Sequence, residues 1–359
     1  MDQRLIQKLN NRKEEGTLRS LLSFEGMIDF HSNDYLGLAK VPTEIQSNQF
    51  GSTGSRLISG SSNAALACER FLANFFQSES ALVFNSGYDA NLGFFSSVPQ
   101  KGDTVLYDEF IHASVRDGLR LSFAKSLSFR HNDVADLKQK LEKCEDTIYV
   151  AVESLYSMHG DLAPLSEIAA LCKQKSAYLI VDEAHSAGVF GKQGRGLVDE
   201  LELGEKVFAR LITFGKAYGS HGAVILGSDD LKQYLINFAR SFIYSTALPP
   251  ESYERIVQMV NYAELPQLQA QLQNNIALFR SQFEALNLLS ASTSPIQSLR
   301  FNSRENLITI SDKCIAGGLA VKAVFSPTVP EKDECLRVNL HSFQRKKEIE
   351  VLKGCVFGK

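Results

Sequence analysis

The sequence has no excess of either charge: 38 Lys and Arg stand against 41 Asp and Glu, for a formal net charge of -3. Without a basic surplus to neutralise phosphates, nucleic acid is not expected as a main partner. Long hydrophobic runs are also missing, and no stretch approaches the roughly 18 uninterrupted apolar residues of a membrane span. The start, MDQRLIQKLNNRKEEG, is too charged for the apolar core of a secretory signal. Six cysteines (Cys68, Cys144, Cys172, Cys314, Cys335 and Cys355) lie far apart with no C-x-x-C pair. They fit reduced thiols in a cytoplasmic protein with no membrane partner. What remains is ordinary globular composition, 44% hydrophobic and 22% charged over 359 residues. A chain of this length suggests about two domains and a core that needs no disulfide or metal to hold it.

Texture changes along the chain divide it into three parts. Residues 1–22 have the charge and spacing of an amphipathic helix, and Asn33-Asp34-Tyr35 opens a turn. The glycine- and serine-rich runs Gly51–Arg56 and Ser59–Asn63 read as loops, with Asn63 capping a helix through Leu66, Phe71 and Phe75. Short apolar runs follow at Ala81–Phe84, Thr104–Tyr107, Thr147–Val152, Tyr178–Val181, Leu211–Phe214 and Ala223–Leu226. Helical spacing lies between several of them, as at Leu137–Leu141 and Ile168–Lys173. That alternation predicts an α/β fold with a mainly parallel buried sheet and helices on both faces. After Pro249-Pro250, one or two helices over Tyr253–Leu286 lead to expected strands at Ile296–Phe301, Leu307–Ile310, Val321–Phe325 and Cys335–Leu340. The expected division is an N-terminal arm (1–40), a large domain (41–260) and a small C-terminal α+β domain (261–359).

Two short segments could carry chemistry. In Tyr178-Leu-Ile-Val-Asp182-Glu-Ala-His185, an apolar strand ends in a carboxylate, with a histidine three residues on. Polar groups at the carboxyl ends of parallel strands are where α/β folds bind ligands. Asp182 could equally cap the next helix, with His185 packed beneath it. The Asp-Glu-Ala-His string also occurs in a helicase motif, but no G-x-x-x-x-G-K-[ST] loop accompanies it, which excludes nucleotide hydrolysis. A metal site fails for want of a third and fourth ligand nearby. Thirty-four residues after Asp182, Lys216 sits between Gly215 and Gly219 at the end of another apolar run. A solvated loop lysine is one reading. The other is a partly desolvated amine with a lowered pKa, free to form a Schiff base. Pyridoxal phosphate (PLP) needs such a lysine, a carboxylate for its ring nitrogen and donors for its phosphate. Ser86-Gly87-Tyr88, opening a helix after Ala81–Phe84, could supply the donors, and His112 an imidazole to stack on a planar ring.

The chain resembles the α-oxoamine synthases, fold-type-I PLP enzymes that condense an amino acid with an acyl thioester. The likeness rests on Ser32-Asn-Asp-Tyr-Leu-Gly-Leu38, Gly51–Arg56, Phe84–Asn91, His112-Ala-Ser114, His131-Asn-Asp133, Val181–Gly188, Thr213–Lys216 and Tyr244–Pro250. Within the family it is most similar to the biotin-synthesis branch. That resemblance implies L-alanine, pimeloyl-CoA or a pimeloyl carrier protein, and 8-amino-7-oxononanoate, carbon dioxide and free thiol as products. It implies Lys216 as the Schiff-base lysine and proton acceptor, Asp182 on the pyridine nitrogen, His185 at the phenolic oxygen and His112 stacked on the ring. Gly87 and Tyr88 would bind the phosphate, with Ser157 and Thr213 also contacting the cofactor. Arg19, Asn33, Thr328 and Arg337 would bind substrate, Arg337 as a bidentate clamp on the amino-acid carboxylate. A homodimer with shared sites is implied, Ser245 or Thr246 reaching the partner's phosphate. His131, His221 and His341 take structural roles. Thr53, His159 and Val324 or Phe325 depart from the family pattern on the acyl-substrate side.

Overall fold

The computed structural model describes residues 2–15, 17–286 and 288–358. Among the described residues, twelve strands occur in the order β1 (Ile28–Asp29), β2 (Ser80–Phe84), β3 (Thr104–Asp108), β4 (Lys125–Phe129), β5 (Ile148–Glu153), β6 (Tyr178–Asp182) and β7 (Ala209–Thr213). They continue as β8 (Ala223–Gly227), β9 (Ile296–Arg300), β10 (Leu319–Ala320), β11 (Lys322–Val324) and β12 (Cys335–Asn339). Seven form one sheet in the order β2-β8-β7-β6-β5-β3-β4. Its pairings are parallel from β7 through β4, and only β8 runs against its neighbours.

Both faces of this sheet are covered, which is why its strands appear in sequence as unbroken apolar runs. Along β5, Val150 and Val152 pack into one hydrophobic cluster, while Tyr149 and Ala151 pack into another on the opposite face. In β6, Leu179 and Val181 face the first cluster and Ile180 the second. Side chains alternate across a strand, so two apolar faces remove the polar half of the pattern.

β4 escaped the sequence reading because it is the edge strand. Lys125, Ser126, Leu127 and Ser128 are exposed and only Phe129 is buried. The helix capped from residue 63 takes Ser62 as its N-cap instead, the hydroxyl accepting from Ala65 N. The N-terminal helix is shorter than expected, Gln3–Glu14, and residues 17–22 form no helix.

Two helices, Pro250–Val260 and Leu265–Gln282, lead to an antiparallel sheet of order β11-β12-β9. Leu307–Ile310, expected as a strand, lies inside the helix Arg304–Ala316. Leu307, Ile310 and Cys314 are buried at helical spacing, and Ser303 caps the start. The short apolar run Leu307-Ile-Thr-Ile310 fits either a strand or a helix in a four-residue window. The N-terminal segment joins this unit, since β1 pairs with β10 and Asn339 N donates to Phe30 O at 2.7 Å.

Candidate active site

Strands β2, β3, β5, β6 and β7 all deliver their carboxyl ends to one cavity of about 280 Å³. Beyond β2, the Ser86 hydroxyl caps the helix Gly87–Ser97 by accepting from Asp89 N. Gly87 and Tyr88, at the first turn of this helix, line the cavity. First-turn N–H groups have no partners inside a helix, and the helix dipole favours an anion there.

Asp182 ends β6 with both carboxylate oxygens held. Oδ1 accepts from Ala184 N at 2.9 Å and Oδ2 from Asn91 Nδ2 at 2.9 Å. Asn91 Nδ2 also donates to Ser114 Oγ at 3.0 Å, and that hydroxyl lies 2.7 Å from His112 Nδ1. His112 caps the helix Ala113–Leu121, with Nδ1 accepting from Ser114 N at 3.3 Å. With Nδ1 used as an acceptor, the ring proton sits on Nε2. Burial lowers the His112 pKa, opposed by Asp182 and reinforced by Lys216.

Lys216 lies in the turn Phe214–Ser220 between β7 and β8. Gly219 takes a φ of +54°, and its Cα abuts the backbone of Leu38 and Ala39, so a side chain has no room there. Arg255 holds the same junction, donating to Gly219 O at 2.9 Å, Leu38 O at 2.8 Å and Val41 O at 3.0 Å. Lys216 Nζ is 2.7 Å from His185 Nε2. Burial pushes the amine down to about 8, against the pull of Asp182 and Glu153 and with the help of Arg337. His185 is buried, and burial with the charges of Lys216, Arg337 and His112 drives its pKa well below the ordinary value. Thr213 ends β7 beside them and donates to Ala184 O at 3.3 Å.

On the far side, Arg337 of β12 donates from Nε to Ser157 O at 2.7 Å and from Nη2 to Asn33 Oδ1 at 3.1 Å. Ser157 therefore meets Arg337 through its carbonyl. Asn33 lines the cavity and links it to the C-terminal unit. Arg19, Thr328 and Thr246 fall elsewhere. Arg19 is exposed outside any helix, and Thr328 is exposed in a turn. Thr246 does not line this chain's cavity; its carbonyl accepts from Asn85 Nδ2 at 2.6 Å, and it bridges to Ser55. His221 lines the cavity, whereas His131 and His341 sit in hydrogen-bonded clusters outside it.

Several contributors carried no usable sequence signal. Asn91 lies 91 positions before Asp182, and nothing local ties the two. Glu183 forms a buried pair with Arg210 and also accepts from Val198 N, fixing the turn that carries Asp182 and His185. Glu153 is buried in the cavity wall with Oε1 unpartnered among the described residues. Burial, and then the neighbouring Asp182, pushes its carboxyl well above the carboxylate range.

Residues 25–352 match the family described as aminotransferase class I and II. The chain belongs to this family. Within it, the chain is an α-oxoamine synthase. It is 39% identical to an 8-amino-7-oxononanoate synthase of Emericella nidulans, over 95% of this chain and 92% of that one. A serine palmitoyltransferase variant from S. paucimobilis with a bound PLP–myriocin aldimine superposes with a TM-score of 0.89 at 26% identity, covering 99% and 96% of the two chains. An 8-amino-7-oxononanoate synthase from Francisella tularensis gives 0.77 at 30% identity, covering 93% and 99%.

The cofactor is PLP, and the residues of this site fit it. A helix start offers N–H groups for a phosphate, Asp182 presents a carboxylate oriented at both oxygens, and Lys216 offers an amine of lowered pKa. Among the described residues, no group of three or more His, Cys, Asp or Glu side chains could hold a metal ion. No described helix is long and apolar enough to cross a membrane.

Proposed function

We propose that this α-oxoamine synthase condenses L-alanine with a pimeloyl thioester, on CoA or a carrier protein. The products are 8-amino-7-oxononanoate, carbon dioxide and free thiol, as in biotin synthesis. One observation carries the reading: an amine with a pKa near 8 and Asp182 line one cavity together with Asn33, whose Oδ1 accepts from Arg337. The printed names of the most similar relatives supply the substrate class.

PLP, once bound, supplies an electron sink for a carbanion at the amino-acid α-carbon. The chain's own groups do the rest. Near neutral pH a useful fraction of Lys216 is uncharged, so its Nζ can hold the cofactor covalently and then take the α-proton. Asp182 keeps a proton on the ring nitrogen by placing a negative charge beside it. The helix start at Gly87 and Tyr88 holds the phosphate, with Thr213, Ser157 and His185 near the ring. His112 would stack on the ring, and Arg337 would receive the carboxylate as a planar bidentate donor. Arg19 and Thr328 serve the acyl side. The working unit is a homodimer in the cytoplasm, with Thr246 reaching the partner's phosphate. Phe50, Ile58 and Tyr244 are exposed, lie within five residues in sequence of the Ser55–Thr246 bridge, and would be covered by a second copy. The six free thiols suit a reducing compartment. Residues 41–260 form the cofactor domain and 261–359 the small domain.

The high superposition on a serine palmitoyltransferase keeps one rival open, an amino acid and acyl chain of another kind. Thiol release and product mass with L-alanine, glycine and L-serine, each against pimeloyl and palmitoyl thioesters, separates them. Release with L-alanine and a pimeloyl thioester, lost about 10²–10⁴-fold with the visible PLP band in Lys216→Ala, is expected. Release only with serine and a long acyl chain would overturn the assignment.

A further inference from the structure

His221 lines the cavity, yet the chemistry above gives it no task. It closes the lysine turn two residues before β8. Two backbone bonds bracket it, Ser220 N donating to Phe214 O at 2.8 Å and Phe214 N to Gly222 O at 2.9 Å. Its side chain is exposed and makes no hydrogen bond or ion pair with the other described residues. β2 and β8 are antiparallel, with Phe84 opposite Ala223. Ser86 lies two residues beyond Phe84 and His221 two residues before Ala223, so the two leave the same end of the sheet on neighbouring strands. Both line the cavity, and Ser86 caps the helix that starts at Gly87 and Tyr88. Gly87 packs on the end of β7, where an added Cβ would lie 2.6 Å from Thr213 Cγ2. The imidazole therefore stands at the rim of a phosphate cradle made by Ser86, Gly87, Tyr88 and Thr213.

Charge points the same way. A phosphate monoester carries about -1.5 to -2 charges near neutral pH, and a helix start offers about half a positive charge against it. The cradle itself contains no cationic side chain. Among the described residues that line the cavity, only Lys216, His112, His185 and His221 can carry a positive charge. Lys216 is committed to the cofactor's aldehyde. Burial works against the cation at His112 and at His185. That leaves His221, the one of the four whose side chain is exposed.

We propose that His221 is a phosphate-binding residue, whose imidazolium gives the cradle the positive charge it otherwise lacks and holds the phosphate monoester of PLP. The phosphate in turn favours the charged form of the ring, since an opposite charge close by stabilises a cation. The inference rests on the cofactor and not on the choice of amino acid or acyl chain.

The test compares two ligands on the full-length chain freed of cofactor. PLP and pyridoxal share the ring and the aldehyde, and pyridoxal has a hydroxyl where PLP has the phosphate ester. The visible band that each forms with Lys216 reads its dissociation constant. In His221→Ala, PLP should bind about tenfold more weakly, the weight of one hydrogen bond to a charged group, while pyridoxal stays within about twofold of wild type. His221→Gln keeps a donor without the charge and should fall in between, and His221→Arg should restore the preference for PLP. Pyridoxal closes partly on itself in solution, but equally for every variant, so the ratio of the two constants is the readout. A distorted turn would weaken both ligands alike. A ratio in His221→Ala equal to that of wild type overturns the proposal.

The phosphates of a CoA thioester are a second source of the same chemistry at an exposed rim. Calorimetric titration of PLP-loaded enzyme with CoA and with pantetheine, which lacks the phosphates, separates the two. The preference for CoA over pantetheine should survive His221→Ala. Its loss, beside an intact ratio of PLP to pyridoxal, would assign the imidazole to the thioester and sink the proposal.

Discussion

His131 binds three strand-end loops together, and its charge should be measurable as a pH-dependent part of the stability. Nδ1 lies 2.8 Å from Asp108 Oδ1 at the end of β3, and Nε2 lies 2.6 Å from Asp161 Oδ2 beyond β5. Both ring nitrogens therefore donate, which requires the imidazolium. Burial is the largest single influence and opposes that charge, yet the hydrogen bonds and charges of the two carboxylates outweigh it and raise the pKa to about 9. The folded value lies above the unfolded one of about 6.5, so the stabilisation is fully present below pH 6.5. It is lost progressively as pH rises from there through 9. A rise of this size corresponds to about 3 kcal/mol. Urea unfolding of wild type and His131→Gln at fixed protein concentration, from pH 6 to pH 10, reads it directly. Glutamine can donate to one carboxylate but cannot titrate, and every other ionisable group is common to both proteins. The wild-type advantage should shrink by about 3 kcal/mol across the range. A constant difference would refute the charged clamp. Asp108 also accepts from Phe110 N at 2.8 Å, so the clamp helps aim the chain that carries His112.

Two further tests probe the supports of the turn that carries Asp182 and His185 and of the lysine turn. Arg210→Met leaves Glu183 buried without its cation and should cost about 3–5 kcal/mol in urea unfolding, with Glu183→Gln added to it restoring part of the loss. Gly188 takes a φ of +85°, and a Cβ there would lie 2.5 Å from Ala217 Cβ, next to Lys216. Gly188→Ala should therefore cost about 1–3 kcal/mol by thermal melting. It should also lower kcat more than it changes the KM for L-alanine, and unchanged kcat would show that the turn absorbs the methyl group.

The large sheet was legible because burial on both faces writes itself into sequence as contiguous apolar residues. β5 and β6 are examples, each found within a residue of its observed limits. β4 is an edge strand exposed on both faces over Lys125-Ser-Leu-Ser128, so it carries no such mark. The C-terminal unit was harder, because short windows there fit either period. Leu307–Ile310 is a short apolar run like a strand's, and its helix is revealed only by Cys314 four residues further on and by the Ser303 cap.

The site divides in the same way. Asp182, His185 and Lys216 could be picked out because each follows the end of a buried strand, where apolar residues stop and one polar group stands out. That signal says which side chains reach the cavity, but not their protonation states. Those depend on partners that chain folding brings in from far away: Tyr35 to His185 across 150 residues and Arg337 to Asn33 across 304. A near-neutral composition is equally silent, since the same net charge would result with Arg337 on the surface. Here it is buried beside a neutral imidazole and a lysine of lowered pKa. Two cationic side chains can share so small a space because one of them need not be charged. Asn33 gives the other an uncharged partner, its Oδ1 accepting from Arg337 Nη2.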